Sequence, residues 1–329
     1  MTKPQAEKIN GSRRGKSGAW INATSAVLLV VIVTLAVYFF KKHWAEFLAL
    51  TRVTPTYIIS MSLLIITFQM VGALKVRTFT RIFGLNLTFR EWFSLTQMNS
   101  LLNYLPVRGG VLLNALYLRK FFNFSYSVFL SMLGAGFVIT VVVFSFMGIV
   151  GALFVFISGN HFPLAIALIY IFFIVFGIAI FLSIDRWGNM VAYPPIVRFC
   201  NGWKVMREGR WYLLLLVLLD GFLVCIDALR MTLSYHAVGV DIPYRLGLIM
   251  VPLSNLMAVA SFVPGGMGVR EIVIGFISRE VGLGFSTGVF ASALDRALLF
   301  FWILLLGAIS IILLFFCRGV GTAKRLEKK

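Results

Sequence analysis

SFVPGGMGVREIVIGF, Ser261–Phe276, interrupts what its neighbours would make a continuous membrane helix. Leu246 to Val263 is almost wholly apolar and a second apolar run starts at Ile272; between them stand Pro264, Gly265, Gly266 and Gly268, then Arg270 and Glu271. Proline has no backbone N–H for a helix, and glycine adds no side chain. The backbone is therefore expected to break here and restart as a short helix near Met267. In hydrocarbon such a break survives only where protein or a water-filled cavity covers it. An arginine and a glutamate beside it predict the wall of a polar site inside the membrane. The alternative is a Pro/Gly kink that leaves Arg270 and Glu271 at the membrane surface.

Composition agrees with a membrane setting. Of 329 residues, 60% are hydrophobic and 13% charged, against about 25% charged in a soluble domain. Lys and Arg number 30 against 12 Asp and Glu, a formal charge of +18. Such an excess can mark a nucleic-acid binder, but here the basic residues fall in short clusters between apolar runs. That placement is topology information and suits an anionic lipid surface, so no nucleic-acid partner is expected. Cys200, Cys225 and Cys317 form no CxxC or disulfide spacing. Ala19–Phe40, preceded by Arg13, Arg14 and Lys16, is too long for the apolar core of a signal peptide and reads as a retained anchor.

Working outward, the chain reads as a basic tail (1–17), one transmembrane domain (18–317) and a second basic tail (318–329). After the anchor come a span at Thr56–Leu74 and a basic stretch, Lys75 to Arg90. Two short apolar pieces follow, Glu91–Leu105 and Val107–Leu118, broken at Pro106, Gly109 and Gly110. Each is shorter than the ~20 residues a crossing needs. Long runs at Ser127–Ile157 and Leu164–Ile184 lead to a basic loop, 185–210, whose Trp187, Trp203 and Trp211 suit the headgroup level. Then come Tyr212–Tyr235, the broken pair around Pro264, and a last span, Gly288–Phe316. Treated as re-entrant hairpins, the two broken pairs leave 21 of the 30 Lys and Arg residues on one side, with both tails. The expectation is N-in and C-in. Two short crossings in place of each hairpin would give the same count.

The halves resemble each other. FSYSVFLSML (Phe124–Leu133) matches FSTGVFASAL (Phe285–Leu294), FGLNLTFR (Phe83–Arg90) matches VGVDIPYR (Val238–Arg245), and LPVRGGV (Leu105–Val111) matches VPGGMGV (Val263–Val269). The matches keep their order at nearly one offset. With the topology above, repeat one (about 56–157) and repeat two (about 211–316) are inverted, a layout that in secondary transporters places the site at broken helices near the midplane. The expected fold is an all-α polytopic membrane protein, an inverted-topology repeat with two broken, re-entrant helix hairpins.

These motifs carry a family resemblance. FVPGGMGVRE resembles the P-G-G-x-G-x-R-E element of the lysylphosphatidylglycerol-synthase transmembrane family, also called flippase-like integral membrane proteins. NYLPVRGG resembles that family's earlier N-x-x-x-P-x-R-x-G-E element, with Val111 in place of its acidic residue. Arg296 falls where the family carries an arginine in its last helix. The resemblance implies lipid translocation at a bacterial cytoplasmic (inner) membrane. Members that also synthesise the charged lipid carry an aminoacyl-transferase domain, which these 329 residues lack.

Charges within the spans mark the candidate site, because one at a helix centre costs about 2.5–3.5 kcal/mol on insertion scales. Arg108, Arg270 and Arg296 are the candidates to grip a lipid phosphate, aided by the helix start after Gly265, Gly266 and Gly268 and by Asn103 and Asn255. Glu271, Asp220, Asp227 and Asp295 would orient those arginines or carry a coupling proton. Asp227 and Arg230 can pair at i,i+3, and Asp295 can meet Arg270. The alternative is a set of buried pairs that locks the bundle. No HExxH, GxSxG, P-loop or Asp-rich motif is present and the three histidines are scattered, so no enzyme, metal or cofactor is expected. The expected partners are membrane lipids with an anionic headgroup or a polyprenyl phosphate. A membrane-embedded lipid-modifying enzyme and a non-transporting scaffold of envelope synthesis are the alternatives.

Overall fold

A computed structural model describes residues 53–104, 109–159, 164–190, 194–260, 266 and 268–315. Both tails, the first span, and Pro106, Arg108, Pro264 and Gly265 lie outside the described residues. Within them the chain is all-helical: α1 Pro55–Ile82, α2 Phe89–Leu102, α3 Gly109–Phe122, α4 Tyr126–Ile157, α5 Leu164–Met190, α6 Pro194–Glu208, α7 Arg210–Ala237, α8 Tyr244–Ala260, α9 Val269–Glu280 and α10 Phe285–Phe315. Five of these, Pro55–Ile82, Tyr126–Ile157, Leu164–Ile184, Arg210–Ala237 and Phe285–Leu313, have the length and composition to cross a membrane. Their outward faces carry large apolar side chains such as Phe146, Phe156, Phe172 and Leu218, as lipid contact requires.

Local sequence sets the helix ends. Pro55 opens α1, where a missing N–H costs nothing. At α2 the Thr88 N–H donates to Glu91 Oε2 at 2.8 Å, half of a capping box. Ser125 caps α4 by accepting from the Val128 N–H at 3.3 Å. The chain leaves α1 at Gly84 (φ +73°) and α7 at Gly239 (φ +84°), both left-handed.

The helix lengths follow one series twice. α1 to α4 have 28, 14, 14 and 32 residues; α7 to α10 have 28, 17, 12 and 31. Packing follows the same series: α1 lies on α2 and α7 on α8, α2 packs on α10 and α8 on α4, and α1 packs on α7. Lys75 meets Asp220, and Arg230 lies over the Phe68 ring, so α1 and α7 run antiparallel. The interlocks are close. A Cβ at Gly307 of α10 would stand 2.6 Å from Leu101 of α2, and one at Gly151 of α4 would stand 2.9 Å from Leu248 of α8.

Three expectations change. The basic stretch after Leu74 is not a loop: α1 continues to Ile82, so Lys75, Arg77 and Arg81 are helical. The apolar pattern ends eight residues before the helix does, because its last two turns need not face hydrocarbon. The basic loop 185–210 is also largely helical, with α5 reaching Met190 and α6 spanning Pro194–Glu208. One face of α6 buries Trp203 and Met206 while Arg198 and Arg207 stay exposed, which is an amphipathic helix. The short helix after the break starts at Val269, two residues later than expected.

Candidate functional site at the helix break

Three helices bring charge to one buried place, and a fourth brings an amide. α7 supplies Asp227 and Arg230, three residues apart and so on one face. The first turn of α9 supplies Arg270 and Glu271, and α10 supplies Asp295 and Arg296. Adjacent helical residues point about 100° apart at 3.6 residues per turn. Each neighbouring pair is therefore split between two subsites.

In the first subsite Arg230 donates through Nε to Asp295 Oδ1 at 2.5 Å and through Nη2 to Asp227 Oδ1 at 2.7 Å. Arg270 Nη2 lies 3.1 Å from the same Asp227 oxygen and 3.3 Å from Asp295 Oδ2. Asn255 of α8 donates Nδ2–H to Asp227 Oδ2 at 2.9 Å. Arg230, Asp227 and Asp295 are 1%, 2% and 0% exposed, so these are fully desolvated charges. In the second subsite Arg296 Nη1 lies 2.7 Å from Glu271 Oε1, and Arg296 Nη2 donates to the Gly266 carbonyl at 3.1 Å. Glu271 Oε2 accepts the Gly268 N–H at 2.8 Å, across the start of α9.

The glycines are there for backbone reasons. Gly266 and Gly268 have φ +62° and +84°, and a Cβ at Gly266 would stand 2.7 Å from Ala258. This irregular backbone aims the Gly266 carbonyl at Arg296 and the Gly268 N–H at Glu271.

The end of α2 reaches the same place. Tyr104, just past it, lies within electrostatic reach of Arg296, Arg270, Glu271 and Arg230, and its ring packs edge-on against Phe300 of α10 at 5.0 Å. Two guanidinium atoms in the cluster, Arg230 Nη1 and Arg270 Nε, are buried without a hydrogen-bond partner among the described residues, as is Asn103 Oδ1. Buried polar atoms in that state are uncommon and call for a water or a ligand.

A family model described as the lysylphosphatidylglycerol synthase TM region matches residues 25–307. The chain belongs to that family. No curated protein and no solved structure matches it. Membership of a lipid-related membrane family, together with five apolar helices, makes the chain an integral membrane protein.

In this member of the lysylphosphatidylglycerol synthase transmembrane family, the structure gathers Asp227, Arg270, Glu271, Asp295, Arg296, Asn255, Gly266 and Gly268. The i,i+3 pairing of Asp227 with Arg230 and the meeting of Asp295 with Arg270 are as expected. Glu271 holds Arg296, one of the arginines it was expected to orient; it points along the α9 start while Arg270 turns toward α7. One expectation is corrected. Asp220 shares a helix with Asp227 but not the cluster: it pairs with Lys75 at 2.5 Å, about two turns away along α7. Thr140 of α4 completes that second site, accepting from Lys75 Nζ at 2.8 Å and donating to Asp220 Oδ2 at 3.0 Å. Sequence reasoning missed Lys75 and Thr140. The signal was present, since the offset that aligns Gly84 with Gly239 also aligns Lys75 with Arg230.

Proposed function

We propose that the chain is a lipid transporter, which carries a lipid with an anionic headgroup, a phospholipid or a polyprenyl-phosphate carrier, between membrane leaflets. The observation that carries this reading is the buried arginine cluster at the helix break, with Arg270 Nε and Arg230 Nη1 unpartnered among the described residues. A phosphate offers oxygens for such donors, and guanidinium forks grip it in pairs. The start of α9 adds free N–H groups and the positive end of a helix dipole at the same place. The acyl or prenyl tails can stay in lipid while the headgroup crosses at the break.

The architecture of this proposal is an inverted repeat, α1–α4 against α7–α10, N-in and C-in, in a bacterial inner membrane. α2–α3 and α8–α9 are re-entrant hairpins entering from opposite faces with their tips meeting at the cluster. The recurring helix lengths and the matched packing support it. α2, α3, α8 and α9, with 14, 14, 17 and 12 residues, are each short for a crossing. The chain acts as a carrier and not as an enzyme in this reading, with Arg270 and Arg296 as headgroup ligands and Asn255, Asp227 and Asp295 as the residues that orient them.

The test is a leaflet assay. Purified protein is placed in liposomes containing a trace of fluorescent phosphatidylglycerol or fluorescent polyprenyl phosphate, and dithionite quenches the label in the outer leaflet. Protein-dependent loss of the protected half is the expected result. Folded protein that leaves both probes at the protein-free rate sinks the transporter reading, and chemical turnover of either headgroup would favour a lipid-modifying enzyme.

A further inference from the structure

Among the described residues, the cluster contains three arginines, Arg230, Arg270 and Arg296, and three carboxylates, Asp227, Asp295 and Glu271. The formal charge of these six groups at rest is zero. A lipid phosphate diester brings one negative charge into this neutral, buried place. An unbalanced charge there is expensive, so either the anion is rejected or one carboxylate gives up its charge. Resting on the headgroup reading above, we propose that each phosphate-diester headgroup binds together with one proton, and that Glu271 is the residue that takes the proton.

The geometry singles out Glu271 among the three. Asp227 accepts from Arg230, Arg270 and Asn255, and Asp295 is held by both Arg230 and Arg270. Neutralising either one leaves two guanidinium groups sharing a single carboxylate. Among the described residues Glu271 has one cationic partner, Arg296. Its side chain is also the most exposed of the three, 13% against 4% and 0% for Asp227 and Asp295. The groups that face it are Arg296 from α10, the Gly268 N–H at its own helix start, and Tyr104 from the end of α2. Arg270 turns to the Asp227 side.

Glu271 also occupies the place a phosphate would take. Its two oxygens hold one guanidinium nitrogen and one backbone N–H at the start of a twelve-residue helix. Those are the donors that bind phosphate elsewhere. The unpartnered Arg270 Nε, on a residue 6% exposed, lies in the same helical turn. So the resident carboxylate stands in for the ligand. When phosphate arrives, it takes over Arg296 Nη1 and the Gly268 N–H, while Arg296 Nη2 stays on the Gly266 carbonyl. The displaced carboxylate accepts a proton from water and becomes a neutral acid. No bond other than O–H forms or breaks, and the loaded site is again neutral. On release of the lipid at the other face, the proton leaves and Glu271 returns to Arg296.

Anion and proton moving together have a measurable consequence. Lipid should accumulate in the leaflet facing the higher pH, by about tenfold per pH unit, as equal and opposite gradients balance. Because the pair is neutral, a membrane potential should not move it. The experiment uses the full chain in phosphatidylcholine liposomes with trace fluorescent phosphatidylglycerol, a diester with one negative charge, on which the gradients are read; fluorescent polyprenyl phosphate, a monoester with more than one, is followed in parallel for movement alone. A one-unit pH step or a potassium-diffusion potential is imposed and the final inner-to-outer ratio is read by dithionite. The expected result is a tenfold ratio with the pH step and none with the potential. Glu271→Gln keeps the side-chain shape but cannot exchange a proton; it should lose the pH response and gain a response to potential. Wild-type flipping that ignores the pH step overturns this proposal and leaves the transporter reading intact. A pH response retained in Glu271→Gln also overturns it. Should that variant not fold, the wild-type gradient measurement decides alone. If neither probe moves with folded wild type, the transporter reading falls and this proposal falls with it.

Discussion

Replacing Arg270 separates gripping a headgroup from holding the bundle. Its Nη2 lies 3.1 Å from Asp227 and 3.3 Å from Asp295, with the side chain 8% exposed. Arg270→Ala leaves two buried carboxylates on the single cation Arg230. Breaking a buried ion pair by removing one partner costs about 3–5 kcal/mol. At roughly 2–4 °C per kcal/mol for a mid-sized domain, thermal stability should fall by ~10 °C, and flipping should be lost. Low abundance alone would give the same phenotype, so the single variant is not decisive. Arg270→Met with Asp295→Leu removes one charge of each sign and keeps the cluster neutral, with Asp227 still on Arg230. Replacing a buried pair with apolar groups is often close to neutral for stability, so the double variant should recover most of the lost melting temperature. If Arg270 grips phosphate, flipping per folded molecule should stay about 10–100-fold down, the worth of one or two charge-assisted hydrogen bonds at ~1.5–3 kcal/mol. Arg270→Lys keeps the charge but not the planar fork and should fall between. A double variant that flips at the wild-type rate refutes the phosphate reading and leaves a purely structural ion pair.

Gly110→Ala should cost about 1–3 kcal/mol, because its Cβ would stand 2.4 Å from the Asn99 carbonyl oxygen, which is backbone and cannot turn aside; thermal melting in detergent reads it, and a neutral effect would mean that α2 and α3 are not packed this closely. Replacing Arg198, Lys204 and Arg207 of α6 together with Gln should reduce co-purified anionic lipid while flipping per folded molecule changes little. A complete loss of flipping with normal folding would put α6 in the transport path.

The fold class was legible because hydrophobic length speaks directly about membranes, and the break at Pro264–Gly268 because Pro and Gly act locally. The cluster was legible in part. Asp227 and Arg230 are neighbours on a helix, so spacing alone pairs them. Glu271 with Arg296, and Asp220 with Lys75, join different helices, and their pairing depends on which way adjacent side chains point. Arg270 and Glu271 are adjacent in sequence, but the 100° step between neighbours gave each a different partner. Lys75 was hidden for another reason. It sits where the apolar pattern ends, and a charge at such a place reads as the end of the span. In the structure it is 17% exposed and holds a carboxylate 1% exposed, so the helix, and the desolvated charge, run past the point where composition changes.

The proposed repeat makes a demand on Lys75 that tests its register. At the offset of 155 that superposes α1 on α7, Lys75 corresponds to Arg230, while Asp227 corresponds to Gly72. By the other two matches, Pro106 with Pro264 (offset 158) and Phe124 with Phe285 (offset 161), the first half has neutral residues opposite the cluster: Leu112 and Leu113 for Arg270 and Glu271, and Gly134 and Ala135 for Asp295 and Arg296. One basic residue thus persists in both halves, with its acid three residues before it in α7 and across the interface, on Asp220, in α1. Asp220→Leu should leave Lys75 with Thr140 as its remaining polar partner and cost about 3 kcal/mol, toward the low end for a buried pair because Lys75 is partly exposed. Adding Gly72→Asp rebuilds in α1 the i,i+3 arrangement that Asp227 and Arg230 have in α7. A Cβ at Gly72 would meet nothing within 4 Å, and leaving glycine in a helix interior gains a few tenths of a kcal/mol by itself. The pair of substitutions should therefore restore most of the stability that Asp220→Leu removes, and Gly72→Asn, equal in size but uncharged, should not. If Asp and Asn at this position rescue equally, the gain is helix propensity and the register that equates Lys75 with Arg230 is wrong. If Asp alone rescues, α1 and α7 share one design, and the charges of the candidate site were concentrated in one half of it.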